Sequence, residues 1–243
     1  MPLASQVKTI NEHLSELIPD RRQLPYSAAR YALFGGGKRI RPRMVLAVCD
    51  DKKALDAAAA IECMHTYSLI HDDLPCMDDD DIRRGKPTLH KMVGEGQALL
   101  VGDYLQLLAF ELIANSDHYR VEQKVELIRV LSQCCGADGM IGGQVSDLQG
   151  NRNIIEMHRC KTGALMRCAL EFGAIIAESD ARVQLAKCGE AIGIAYQLFD
   201  DLADGDYILD ELETSRLAEK YYHDALKYAQ GFPELETLIR TIL

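Results

Sequence analysis

Apolar residues recur at spacings of three and four along most of the chain. Leu99, Leu100, Leu107 and Phe110 follow this spacing, as do Leu127, Val130 and Leu131, which is the period of a helix with one buried face. The run from Ala54 to His71 is Ala-rich and apolar on every side, and predicts a single buried helix. Similar long patterns cover Ile154 to Ala177 and Asp180 to Leu202. Seven prolines are present, and none lies between Pro87 and Pro233, so nothing there forces a helix to break. Strand-like alternation is scarce, and no Asn-Gly or Asp-Gly pair joins two β-branched runs. Asp138-Gly139 and Asp204-Gly205 fall between helical patterns, where helices end. With no fixed-period repeat and no linker-like stretch, the pattern predicts one all-α domain over residues 1–243.

Composition narrows the function more than the fold. The chain is 48% hydrophobic and 26% charged, as soluble globular chains are. Its net charge of −10 argues against nucleic acid or an anionic membrane as a partner. The longest runs free of Asp, Glu, Lys and Arg are nine residues, Cys63 to His71 and Ala191 to Phe199. A spanning helix takes about 20 apolar residues, so no transmembrane segment is predicted. Met1 to Asn11 lacks the charged-then-apolar pattern of a signal peptide. The eight cysteines contain no C-x-x-C pair and sit mostly inside apolar patterns, which predicts reduced, buried thiols in a cytoplasmic setting.

The densest chemical signal is His71-Asp72-Asp73-Leu74-Pro75-Cys76-Met77-Asp78-Asp79-Asp80-Asp81, with six aspartates in ten residues. An acidic run is commonly a solvated loop. Here it ends a helix too apolar to be a surface element, and Pro75 marks a break that would return Asp78 toward Asp72. Arg83-Arg84-Gly85 follows at once. Clustered carboxylates with few His or Cys suit a hard cation held through oxygen, and Mg²⁺ keeps places for water and phosphate. A second group, Asp200-Asp201-Leu202-Ala203-Asp204, ends another apolar helix 128 residues later. Asp200, Asp204 and Gln197 share one face of it. Two such groups read as facing walls of one cavity, tolerable only with cations between them.

Basic residues supply the counterpart. Gly35-Gly36-Gly37-Lys38-Arg39-Ile40-Arg41-Pro42 is Gly-rich and cationic without the spacing of a Walker loop. Lys and Arg beside open backbone suit phosphate oxygens. Lys161-Thr162-Gly163 precedes a largely apolar helical stretch. His65 lies two turns before Asp72, on the same face.

These motifs, in this order, resemble the trans-isoprenyl diphosphate synthases: Gly36 to Pro42, His65 to Asp78, Arg83 to Gly85, Gly142-Gly143-Gln144, Lys161 to Gly163, and Gln197 to Asp201. The similarity runs from about Tyr26 to Asp204 and is greatest to bacterial and plastid-type farnesyl or geranylgeranyl diphosphate synthases. It implies a single-domain isoprenoid-synthase helix bundle with a central cavity. It also implies the reaction: an allylic diphosphate loses pyrophosphate, isopentenyl diphosphate attacks the cation, and loss of a proton leaves a chain five carbons longer. By the same resemblance Asp72, Asp73 and Asp78 hold Mg²⁺ on the allylic diphosphate. Asp200, with Asp201 and Asp204, holds a further ion, for three with substrate bound. Arg83, Lys161, Thr162 and Gln197 contact the allylic substrate; Lys38, Arg41, His65 and Arg84 grip isopentenyl diphosphate. Asp72, Asp78, Arg83, Lys161 and Asp200 are the implied catalytic set. Tyr67, a turn and a half deeper than Asp72, and Ser68 beside it would set product length, and an aromatic there points to the fifteen-carbon product. A homodimer is implied as well, and a plastid location where a transit peptide has been removed.

The likeness breaks down after Asp204. Family members continue with a Gly- and Lys-containing loop that closes over the diphosphates. Here Asp204-Gly205-Asp206-Tyr207 runs straight into a helical pattern from Ile208 to Ala229, and the connections near Asp50–Lys52 and Gly150–Asn153 are short. Either the protein lacks its lid or a fuller form carries segments this sequence does not. A non-catalytic prenyl-synthase-like subunit that modifies a partner enzyme, and a geranylgeranyl diphosphate synthase, are the competing readings. An EF-hand loop at Asp200 to Glu211 is disfavoured by Leu202, which sits where an oxygen ligand is needed.

Overall fold

The computed structural model describes residues 3–150, 153–205 and 209–243. In chain order the helices are α1 (Leu3–Leu17), α2 (Tyr26–Leu33), α3 (Ile40–Val48), α4 (Leu55–Asp72), α5 (Leu89–Val93), α6 (Glu95–Asn115), α7 (Val121–Cys135), α8 (Met140–Leu148), α9 (Ile154–His158), α10 (Ala164–Ile176), α11 (Arg182–Asp204), α12 (Glu211–Tyr228) and α13 (Pro233–Ile242). A π-helical turn, Arg159–Gly163, joins α9 to α10. Two-residue strands β1 (Ile82–Arg83) and β2 (Lys86–Pro87) form the one small sheet among the described residues. The all-α expectation holds. The single helical stretch predicted over Ile154 to Ala177 is instead α9, the π-turn and α10. The predicted C-terminal helix appears as α12; Ile208, and Asn151 and Arg152 of the short connection, lie outside the described residues.

The contacts divide the chain into two compact units. One comprises Met1–Pro42 with Leu55–His118, and the other Arg43–Ala54 with Tyr119–Leu243. In the first, α4 is the central element. Its residues Ala57 to Met64 are all buried, because a helix apolar on every side finds no face suited to water. Its two buried acids are each paired: Asp56 accepts from His13 Nε2 at 2.7 Å, and Glu62 accepts from Arg39 Nη1 at 2.7 Å. Unpaired, either would cost several kcal/mol, roughly 3–5 when one partner of a buried pair is lost. α6 packs along α4. By length and composition α6 is apolar enough to cross a membrane, unlike any segment of the sequence judged by charge-free runs alone. Its buried residues Ala98, Val101, Leu105, Ala109 and Ile113 instead fill this unit's core. Leu100 and Leu107 on its other side are exposed.

In the second unit α11 is the long axis, packed by α10, the π-turn and α12. Ile194, Leu198 and Ala218 form a buried cluster with Phe199, Leu202 and Tyr221 against it. α11 ends at Gly205, which takes φ 70° and donates its N–H to the Asp201 carbonyl, so the helix end predicted at Asp204-Gly205 is a left-handed stop. All eight cysteines are free, and all but Cys76 are buried.

Candidate active site

The first unit builds its site from the end of α4. The helix stops at Asp72 because Pro75 has no N–H to continue the ladder. The chain then folds back on itself. The amides of Met77 and Asp79 donate to the Leu74 carbonyl at 2.8 and 3.2 Å, and the amide of Asp78 donates to the Asp72 carbonyl at 2.9 Å. Asp78 thus returns to Asp72 as the sequence predicted. Asp72 is partly exposed and Asp78 is exposed. Asp73 is buried and accepts from Arg83 Nε at 2.6 Å. Burial raises its carboxyl above the ordinary range, and Arg83 opposes that rise. Within this group, then, Asp73 is committed to orienting Arg83. Asp79, Asp81 and His90 also bring one donor atom each to within 4.8 Å of one another.

Arg83 and Arg84 are placed by the β-hairpin. Arg84 and Gly85 take φ 54° and 73°, the conformation of a tight two-residue connection. The hairpin carries Arg84 to the Gly-rich loop, where its Nη1 donates to the Gly36 carbonyl at 2.6 Å. Gly37 has to be glycine: it takes φ 117°, and a Cβ there would lie 2.7 Å from Arg84 Nη1. Arg39 anchors the loop from below. It is buried, donates to Asn11 Oδ1 at 2.9 Å and to the Leu33 carbonyl, and pairs with Glu62. Lys38 is exposed. Arg41 Nη1 lies 3.2 Å from His65 Nε2. Burial, then Arg41, Arg84 and Arg83, push the His65 pKa well down. A neutral His65 therefore accepts from Arg41 at Nε2. Of the four residues predicted to grip one diphosphate, Arg41 meets His65, and Arg84 meets the Gly-rich loop that carries Lys38.

The second unit builds its site around the π-turn. Lys161 Nζ is bonded to Asp147 of α8. Thr162 Oγ1 donates to Gln197 Oε1 at 3.1 Å, and His158 Nε2 lies 3.0 Å from Asp201 Oδ2. Two glycines allow this crowding. A Cβ on Gly143 would meet the Lys161 backbone at 2.3 Å, and one on Gly193 would meet Gly163 Cα at 2.3 Å. The π-turn therefore sits between α8 and α11 at backbone contact. Asp200 and Asp204 are exposed at the end of α11, whereas the Asp201 side chain is only 14% exposed.

The Polyprenyl synthetase family profile matches residues 22–214. The chain belongs to the polyprenyl synthetase family. Its relatives include the farnesyl diphosphate synthase of Haemophilus influenzae, 43% identical over 217 residues that cover 83% of this chain and 71% of that protein. The large subunit 1 of the heterodimeric geranylgeranyl pyrophosphate synthase of Arabidopsis thaliana is 38% identical over 83% of this chain and 60% of its own. Among solved structures, an apo FPP/GFPP synthase of Zymomonas mobilis superposes with a TM-score of 0.89 at 36% identity, covering 99% of this chain and 95% of that one.

Three further residues of this polyprenyl synthetase chain are brought to the site by the tertiary structure. Arg39 belonged to a basic run, and only its pairing with Glu62 separates it from its exposed neighbour Lys38. Asp147 follows Gln144 by three residues and shares its helix side, a signal the sequence does carry. His158 stood inside an apolar pattern, and its partner Asp201 is 43 residues away.

Proposed function

We propose that the protein is a trans-prenyltransferase that joins isopentenyl diphosphate to dimethylallyl or geranyl diphosphate, with farnesyl diphosphate as product. The observation that carries this reading is the fold-back of Asp78 onto Asp72 at the mouth of a buried apolar helix, with Arg83 and Arg84 fixed beside it. The exposed donors at both helix ends are carboxylate oxygens, a set that fits Mg²⁺. Asp72 and Asp78 would hold it in one group, Asp200 and Asp204 in the other, and when bound it would neutralise charge gathering on pyrophosphate.

The chain's own residues do the rest. Arg83, Lys161, Thr162 and Gln197 bind and orient the allylic diphosphate, so that the C–O bond breaks toward fixed positive charge. Lys38, Arg41, Arg84 and neutral His65 hold isopentenyl diphosphate with its double bond toward the allylic carbon. That bond attacks, a new C–C bond forms, and the departing pyrophosphate takes the proton that restores the double bond. The apolar wall of α4 keeps water from the cation. Tyr67, buried on α4 with its ring edge against His71, closes the space available to the growing chain, with Ser68 beside it. We assign a second copy of the chain to the exposed Leu100 and Leu107 side of α6, and a reducing compartment, the cytoplasm, to a chain with eight free thiols.

A product assay with Mg²⁺, labelled isopentenyl diphosphate and each allylic primer tests the reading. A fifteen-carbon product lost in Asp72→Ala supports it; a twenty-carbon product keeps the chemistry and moves the assignment to geranylgeranyl diphosphate. No product from any primer discards catalysis by this chain. The passage from Asp204 toward α12 without lid lysines would then favour a subunit that modifies a partner enzyme.

A further inference from the structure

His158 is a buried, hydrogen-bonded histidine that none of the substrate contacts proposed above employs. It closes α9, and the π-turn carrying Lys161 and Thr162 starts at the next residue. Its Nε2 lies 3.0 Å from Asp201 Oδ2, with His158 4% exposed. The bond reaches α11 beside a longer pair, Arg159 Nη1 to Glu190 at 3.7 Å, and next to the backbone contact where Gly193 of α11 faces Gly163. A π-turn lacks the regular i→i−4 ladder, so its geometry depends on what is tied to its ends. Thr162 to Gln197 ties one end and His158 to Asp201 the other, and both partners are on α11. The same bond orients the acidic group. With one oxygen of Asp201 committed to His158, the carboxylates exposed at the end of α11 are Asp200 and Asp204.

We propose that His158 is a positioning residue that fixes Asp201 as an orienting carboxylate, and so couples the second acidic group to the turn that presents Lys161 and Thr162. Asp201 then acts through His158, and Asp200 is the residue that meets the cation. Hydrogen-bonded partners behind the ligands of a metal site commonly set ligand orientation, and losing one costs about 10–100-fold in affinity. The inference rests on the reading of the second acidic group as part of a diphosphate and cation site.

The test uses calorimetric titration with Mg²⁺ and inorganic pyrophosphate, together with hydrogen exchange of the metal-free protein. Wild type that binds no pyrophosphate with Mg²⁺ would overturn the functional reading itself. Given wild-type binding, His158→Phe, which keeps a ring and removes the donor, is expected to weaken pyrophosphate about tenfold. It should also speed amide exchange at 159–163 without moving α7 or α13. His158→Gln, which returns an N–H near the same place, should recover most of both. Asp201→Asn keeps an oxygen for His158 and should cost less affinity than Asp200→Asn, a comparison that stands even where His158→Phe fails to fold. Equal losses in Asp200→Asn and Asp201→Asn, or unchanged exchange and affinity in His158→Phe, would overturn the proposal.

Discussion

The Asp78 amide donates to the Asp72 carbonyl at 2.9 Å, so two carboxylates six residues apart leave neighbouring points of the main chain. Asp73, between them in sequence, is turned inward to Arg83. The three aspartates therefore differ in what they can do. Asp72→Asn and Asp78→Asn are expected to lower kcat by about 10²–10³-fold each, with thermal stability unchanged. Asp73→Asn should lower kcat less and instead raise KM for the allylic substrate, by loosening Arg83. Steady-state kinetics on the three variants separates these outcomes.

Gly37 and Arg84 occupy one another's space. A methyl group at Gly37 would displace the guanidinium from the Gly36 carbonyl, and φ 117° would be strained besides. Gly37→Ala should raise KM for isopentenyl diphosphate about tenfold while leaving that for the allylic primer within about twofold, because Arg83 is held separately by Asp73. An equal rise in both constants would contradict the division of labour between the two arginines.

Tyr67 is buried on α4. If it limits chain growth, Tyr67→Ala lengthens the main product from fifteen to twenty carbons or more. Sizing the dephosphorylated products reads this directly, and a product unchanged in length would place the limit elsewhere.

The π-turn depends on glycine at two crossings. Gly193→Ala puts a methyl 2.3 Å from Gly163 Cα, and Gly143→Ala puts one 2.3 Å from the Lys161 nitrogen. Backbone cannot move aside as a side-chain tip can, so each should cost about 1–3 kcal/mol or more. For a chain of this size that lowers Tm by about 2–4 °C per kcal/mol. Differential scanning calorimetry checks the size of the loss.

Glu126 binds Arg129 on its own helix and Arg182 of α11, and these bonds bring its carboxyl down from the ordinary 4.5 to about 2. A depressed carboxyl contributes stability that is present above its unfolded value and lost as pH falls through its folded one. The contribution is therefore full above about pH 5 and fades between about pH 4.5 and 2. Urea melts of wild type and Glu126→Gln should differ at pH 7 and converge toward pH 2.

The sequence by itself determined that the chain is helical, where α4 and α11 lie, and that each ends in carboxylates. It did so because these features rest on local rules: apolar periodicity, a proline after Asp73 and a glycine after Asp204. The order of the motifs also placed the chain in its family. Only tertiary structure decided which members of each group differ. Asp73 is indistinguishable from Asp72 in sequence, and burial against Arg83 separates them. The π-turn was invisible because one apolar pattern runs through it, and it exists where α8 and α11 press at glycine on both sides. His158 and Asp201 are 43 residues apart, and no period or spacing links residues whose only relation is a shared wall.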